Sequence, residues 1–464
     1  MPETTLNLKS ENILTFPSIK HDRASISLED EISTPLTDKM AQEQEVLNSK
    51  SNYQSNFDWE AFKKLEVRAN KNSIRGGFVF KSPMKIVNSH ATCQQCLYAF
   101  EIDTYGRGCV HNCVYCYAKA ELTVHGYWNN PYPAPVDINA IRKIFYTVFE
   151  TNKVSKWREV MEKRIPLRIG SMSDSFMYMD KKIGVTKELL RILNHYNYPY
   201  IIFSRSDLIA QDEYLSLINP NLGAIQFSIS STNDKMNKLI EPGAPSAARR
   251  LSALSKISSS GFWTTVRINP LFPMYPDGYF SDPNFDYQGE IPKFEYSSFD
   301  MVDEIADAGV PAILVGMGRF SAFAFTQIKK ATGFDLRQLY NTDESFRKSK
   351  RDYHFSDAET RYYYSEFKKK CIKNAMEFTT CYIGNGEQHF WSDQDLWSNK
   401  KDCCNVKGKL KPFVSDSREI SFPTRLKFTN HKCSSPVNPE TLHKPLGVKE
   451  QSNKTRRPDS EILI

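Results

Sequence analysis

Between residues 95 and 385 short β-branched runs alternate with longer stretches of helical periodicity, and this alternation narrows the fold more than any other property of the chain. The runs 98–104, 167–171, 200–204, 224–229, 263–269, 312–316 and 378–383 read as strands. Helical patterns over 187–195, 247–259 and 299–308 lie between them, the first with Leu189, Leu190, Ile192 and Leu193 at amphipathic spacing. The other two patterns are followed by Gly261 and Gly309, where helix-stop glycines belong. Repeated strand–helix units imply a parallel sheet covered by helices. Six or seven such units suit a full or partial (β/α) barrel, whose chemistry sits on the loops after the strands. Those loops carry Gly106 to Cys109, Ser171 to Asp174, Ser204 to Ser206, Ser228, Ser230, Arg267, Asn269, Gly316 and Gly318. They are small, hydroxylic or basic residues, suited to a polar cofactor.

The 464 residues are ample for one large domain or two to three smaller ones. No run of about 18 apolar residues is present, so no membrane-spanning helix is expected. The first residues lack a basic start followed by an apolar stretch, which points to a cytoplasmic, reducing compartment. Charge divides the chain further. Residues 1–60 hold 5 basic and 11 acidic side chains and read as a disordered acidic head. Residues 405–464 hold 12 basic and 6 acidic ones, and from 412 onward they read as a flexible basic tail carrying Lys454, Arg456 and Arg457. The organisation expected is thus a head over 1–60, a barrel over 75–385, a cysteine-containing extension over 386–411 and a tail over 412–464.

Ten cysteines in a reducing compartment point to metal ligation or catalysis rather than disulfides. Cys109, Cys113 and Cys116 follow the first strand at x3 and x2 spacing, on a loop opened by Gly106 and Gly108. Three thiolates on such a loop satisfy three irons of a [4Fe–4S] cube and leave the fourth open for catalysis. The competing readings are a zinc site completed by His111 or His125, and buried free thiols.

The triplet, with Tyr115 before its third cysteine, resembles that of the radical SAM enzymes. The run from Gly108 to Ala118 is similar to the DNA-repair-photolyase-like branch, which includes spore photoproduct lyase. Further landmarks of that resemblance are Ser228 to Ser231, Leu239 to Pro245, Arg249 to Leu251, Gly170 to Ser175 and Ile201 to Arg205, so that it covers about 75–385. The resemblance implies an α/β fold, a partial (β/α)6 TIM-like barrel of the radical SAM type, here with extra C-terminal elements. It implies a [4Fe–4S] cluster on Cys109, Cys113 and Cys116 and an S-adenosylmethionine chelated by the open iron. Reductive cleavage to a 5′-deoxyadenosyl radical would be followed by hydrogen abstraction from a substrate, with the electron supplied by a donor such as flavodoxin or ferredoxin. Ser173, Asp174, Arg205, Ser228 and Arg267 are the candidates for holding the cofactor, and a helix N-cap is the other reading of Ser173 and Asp174.

Two departures stand out. No cysteine occurs between 117 and 370, so the hydrogen-donating cysteine of spore photoproduct lyase has no counterpart near the second strand, and Ser-Met-Ser-Asp replaces the common Gly-Gly-Glu. Conversely, Cys371, Cys381, Cys403 and Cys404 fall within 34 residues and are candidates for a second iron–sulfur cluster, with burial of Cys371 and Cys381 as the simpler reading. Cys93 and Cys96 form a dyad ahead of the first strand, and Cys433 lies in the tail. Nucleic acid is the first expectation for the substrate, by analogy with the branch. A peptide or small-molecule maturase and a non-catalytic iron–sulfur electron carrier or redox sensor are the alternatives.

Overall fold

The protein is represented by a computed structural model. It describes residues 84–86, 97–124, 128, 133–340, 352–381, 393–399, 401–411, 415–421 and 423–424. The acidic head, Cys93, Cys96, His125, Cys433 and the basic cluster at 454–457 lie outside the described residues.

An eight-stranded sheet organises the chain, and its spatial order follows the sequence. Its strands are β1 (Met84–Ile86), β2 (Phe100–Ile102), β3 (Leu167–Ile169), β4 (Tyr200–Ser204), β5 (Gly223–Ser228), β6 (Thr264–Leu271), β7 (Ala312–Met317) and β8 (Glu377–Thr380). Strand β1 pairs antiparallel with β2. Every later neighbour is parallel, from β2–β3 through to β7–β8. The sheet is open, with β1 and β8 at its edges. All seven strands read from the sequence are present, so the parallel part has seven strands, within the six or seven units expected and one more than the (β/α)6 barrel implied by the resemblance. The seventh is delivered by the helix Asp357–Lys373, which returns the chain beside β7.

Side chains of a strand alternate between faces, and here both faces are dry. Tyr200 and Ile202 point to the helical side and join the main core, whereas Ile201 and Phe203 point to the other. On the helical side Leu189 and Leu193 of Val185–His195, Leu254 and Ile257 of Ala247–Ser259, and Val302 and Ile305 of Met301–Asp307 bury their apolar stripes. Gly261 and Gly309 follow the last two helices at φ 81° and 75°, the left-handed conformation of a helix stop.

The concave face is filled by the C-terminal extension. Trp397, Cys403, Cys404, Val406 and Leu410 pack with Tyr98, Ile201, Phe203 and Ala224 into a second apolar cluster. This plug is stitched to both sides of the open sheet. Ser398 exchanges hydrogen bonds with Phe378 of β8, the Trp263 indole donates to the Asn405 carbonyl at 2.6 Å, and Lys411 donates to the Asn221 carbonyl at 3.0 Å. Ser417 then donates to the Leu97 carbonyl, and its hydroxyl accepts from the Ala99 amide, both just before the start of β2. The expected boundary at 412 therefore shifts. Residues 415–421 and 423–424 belong to the body, with Ile420 buried and both Ser421 and Thr424 donating to Glu159.

Candidate active site

The cysteine loop leaves β2 and runs into the helix Tyr117–Val124. It is held by backbone pairing to the segment after β5. Val114 donates to the Ile240 carbonyl at 2.9 Å, and Gly243 donates to the His111 carbonyl at 3.0 Å. The approach at Gly243 is so close that a Cβ there would sit 2.0 Å from the Val110 carbonyl oxygen. That is why this landmark needs glycine. Left-handed backbone in the loop falls on Arg107 (φ 63°) and Asn112 (φ 48°) rather than on Gly106 or Gly108, and Lys119 donates to the Asn112 side chain at 3.0 Å.

Glu241 lies one residue after Ile240, fully buried, and gathers three partners. Tyr115 and Arg205 both reach Oε1, and Arg250 donates to Oε2 at 2.8 Å. Arg205 also donates to the Tyr115 hydroxyl at 2.6 Å. Burial alone raises a carboxyl pKa, but Arg205, then Arg250 and Tyr115, outweigh it and hold Glu241 down at about 2. The Tyr115 that precedes the third cysteine is thus the loop's own handle on this ion network, beyond the packing of its ring against Phe272.

On the other side of the loop stands Asp174. Burial again works against its charge, yet His111 at 3.0 Å, the Arg205 amide at 2.8 Å and the Phe176 amide at 2.8 Å keep its pKa below the ordinary value. The Ser204 hydroxyl donates to it as well, at 2.9 Å. His111 spends its second nitrogen on the Gly243 carbonyl at 3.1 Å. Both ring nitrogens are therefore engaged away from the cysteines, which removes His111 from the zinc reading. Ser173 donates its hydroxyl to the Tyr105 carbonyl at 2.5 Å, and Asp103 accepts from the amides of Met172 and Ser173 at 2.8 and 3.1 Å.

A cavity of about 550 Å³ opens at the C-terminal ends of the strands, within the range of small-molecule sites. Cys109, Cys113 and Cys116 line it, together with all five cofactor candidates, Ser173, Asp174, Arg205, Ser228 and Arg267. Three of the five have their side chains committed inward: Ser173 to Tyr105, Asp174 to His111 and its neighbours, Arg205 to Glu241. They frame the wall. Of the other two lining residues, Ser228 and Arg267, the second is steadied by the Gln226 side-chain oxygen at 2.9 Å and by the Cys381 sulfur at 3.2 Å.

The donor set fits an iron–sulfur cluster. The three thiols are free, and burial raises their pKa, for Cys109 to about 12, so that iron must displace protons as it binds. No group of three or more His, Cys, Asp or Glu among the described residues converges on a single ion. A cube does not require that, because each thiolate takes its own iron. The Ser171 hydroxyl on the cavity wall is buried without a partner among the described residues, a place for a polar ligand atom.

The four later cysteines separate. Cys371 sits in the main core on the helix Asp357–Lys373, its pKa pushed up to about 12 by burial. Cys403 and Cys404 pack in the plug, and Cys381 alone of the four lines the cavity. Sequence reasoning quoted Glu241, Gly243 and Arg250 as landmarks without assigning their work. It missed Arg168, Phe203 and Cys381 as cavity wall. Their strand positions carried the signal, since alternation sends Phe203 inward once Ile202 is assigned to the helical side.

The chain is similar to spore photoproduct lyase. A structure of a mutant form of that enzyme with bound AdoMet and dinucleoside spore photoproduct matches with a TM-score of 0.44 at 17% identity, over 63% of this chain and 78% of that one. SuiB of Streptococcus suis bound to S-adenosylmethionine matches with a TM-score of 0.37 at 12% identity, over 68% of this chain and 56% of that one. An uncharacterized protein, ORF301 of Acidianus two-tailed virus, is 24% identical over 176 residues, 36% of this chain; the chain spans about half of that relative's length, 54%. No model of a known protein family matches the sequence.

Proposed function

We propose that the protein is a radical SAM enzyme in which Cys109, Cys113 and Cys116 hold a [4Fe–4S] cluster beside an S-adenosylmethionine. The observation that carries this reading is the meeting of three free thiols with one polar cavity at the C-terminal ends of a parallel sheet. When bound, the pair of cofactors supplies one-electron reductive cleavage of a sulfonium and a carbon radical able to take hydrogen from a substrate. The chain's own residues do the rest. Glu241, Tyr115, Arg205 and Arg250 fix the height of the cysteine loop, and the His111–Asp174 pair fixes its tilt. Asn112, Ser171, Ser228 and Asn269 line the space with neutral polar atoms suited to a ribose or an amino acid end. The plug keeps bulk water from the concave face, which protects a radical from quenching. The electron arrives from a small carrier such as a flavodoxin or ferredoxin in a reducing compartment, and the substrate is a nucleic acid. Placement of Cys371 in the core argues for leaving the auxiliary cluster out of this reading.

The test is anaerobic reconstitution followed by dithionite reduction with S-adenosylmethionine. Formation of 5′-deoxyadenosine by the wild type and not by Cys113→Ala is expected. A protein that binds iron but yields no 5′-deoxyadenosine is an electron carrier, and one that takes up zinc in place of iron contradicts the reading.

A further inference from the structure

The cavity has a second end, and its electrostatics are not those of the cysteine wall. Arg168 and Arg267 both lie over the ring of Phe203, at 5.4 and 4.9 Å from its centroid, so their charges are at most about 10 Å apart. All three residues line the cavity. Arg168 is paired with the buried Glu101. Arg267 has no carboxylate within ion-pair distance among the described residues; its two fixed partners are the neutral Gln226 amide and the Cys381 sulfur. Gln226 is in turn anchored by donating to the Cys404 carbonyl of the plug at 3.0 Å. The guanidinium is thus aimed and held without a carboxylate to balance it.

A cation placed this way beside a second one raises the energy of the empty site, since like charges repel and a guanidinium taken from water needs an anion to repay its desolvation. At the cysteine end the same need is met internally: Glu241 serves Arg205 and Arg250. At this end Glu101 pairs with Arg168, while Arg267 reaches no carboxylate among the described residues. Arginine's planar fork matches a tetrahedral oxyanion better than a point charge does, and the Arg267 fork, with the Arg168 charge near the same ring, favours an anion with more than one acceptor oxygen.

We propose that Arg267, with Arg168 and Phe203, forms a subsite for a phosphate group of the substrate. The inference rests on the radical SAM reading and assigns the residues that would hold a phosphate of its substrate. It also moves Arg267 from the cofactor to the substrate. A phosphodiester of a nucleic acid and the monoester of a free nucleotide share the chemistry that the subsite recognises.

Calorimetric titration of the full chain, iron-loaded and saturated with S-adenosylmethionine, tests it with four probes: thymidylyl-thymidine, thymidine 5′-monophosphate, thymidine and succinate. The two phosphate-bearing probes are expected to bind at least about tenfold more tightly than thymidine or succinate, the scale of one charge-assisted hydrogen bond. Tighter binding of the dinucleotide assigns the subsite to a phosphodiester, and tighter binding of the monophosphate assigns it to a free nucleotide. Arg267→Gln should weaken both at least about tenfold, and Arg267→Lys, which keeps the charge but loses the fork, should fall between. Thymidine binding as well as its monophosphate overturns the proposal, as does equal binding of succinate. A variant whose loss appears in S-adenosylmethionine affinity, with phosphate binding intact, returns Arg267 to the cofactor and overturns it too. Any of these failures in a protein that still assembles its cluster and forms 5′-deoxyadenosine leaves the radical SAM reading standing. Failure of cluster and product together strikes that reading instead.

Discussion

The two ends of the cavity are built on opposite principles. At the cysteine wall the two buried carboxylates are matched inside the chain: Glu241 with Arg205 and Arg250, and Asp174 with His111. At the floor two guanidiniums flank the Phe203 ring, Glu101 pairs with Arg168 and not with Arg267, and the plug from the end of the chain packs against the same ring. The contrast separates two jobs. On the proposed reading, the wall that holds the cluster is served by a frame matching its own buried carboxylates, whereas the floor that meets the substrate keeps Arg267 without a carboxylate among the described residues.

The sharpest way to break the wall is to remove a ligand. Cys113→Ala should abolish cluster assembly, with iron content of the reconstituted protein falling to background. The fold should persist, because the change deletes a single sulfur atom at the edge of the cavity. Glu241→Ala should come next. It strands two buried arginines and should destabilise the protein by about 3–5 kcal/mol in urea unfolding, with iron retention reduced as well. Trp397→Ala tests the other end. Its indole is 2% exposed and donates to the Thr380 hydroxyl at 2.6 Å, so loss of about 3–5 kcal/mol is expected. Iron content should stay near that of the wild type, because Trp397 packs in the second apolar cluster, which includes none of the residues of the cysteine loop's frame. Equal iron loss in Glu241→Ala and Trp397→Ala would erase the distinction between wall and floor.

Gly243→Ala is a finer probe. The new methyl group meets the Val110 backbone, which cannot swing aside as a side chain can, so about 1–3 kcal/mol and a measurable drop in iron retention are expected. The smallest effect is one of pH. Glu241 is held at about 2 against an ordinary 4.5, so its stabilising contribution is complete above 4.5 and is lost as pH falls toward 2. Acid unfolding of wild type and Glu241→Gln should therefore converge at the bottom of that window, and parallel curves across it would contradict the assignment.

How much of this could be read beforehand follows from the range of the interactions. Seven strands were legible because a buried parallel strand writes a β-branched run into consecutive residues, and the cysteine triplet on the cavity wall because its spacing is local. The frame was half legible. Glu241, Gly243 and Arg250 appeared as a landmark, but their partners Tyr115 and Arg205 are separated from Glu241 by 126 and 36 residues. The floor was not legible. Cys381, Cys403 and Cys404 read as one local group, yet folding sends one to the cavity and two into the plug, because the plug's path beneath the sheet depends on carbonyls such as Asn221 that carry no sequence signal.

The central claim is that the three cysteines hold a cube with one iron left open to the cavity. Electron paramagnetic resonance of the anaerobically reconstituted, dithionite-reduced protein, recorded before and after addition of S-adenosylmethionine, tests it most directly. About four irons and four sulfides per chain are expected, with a cluster signal whose g-values shift when the cofactor is added. A cluster signal unmoved by saturating S-adenosylmethionine would contradict it.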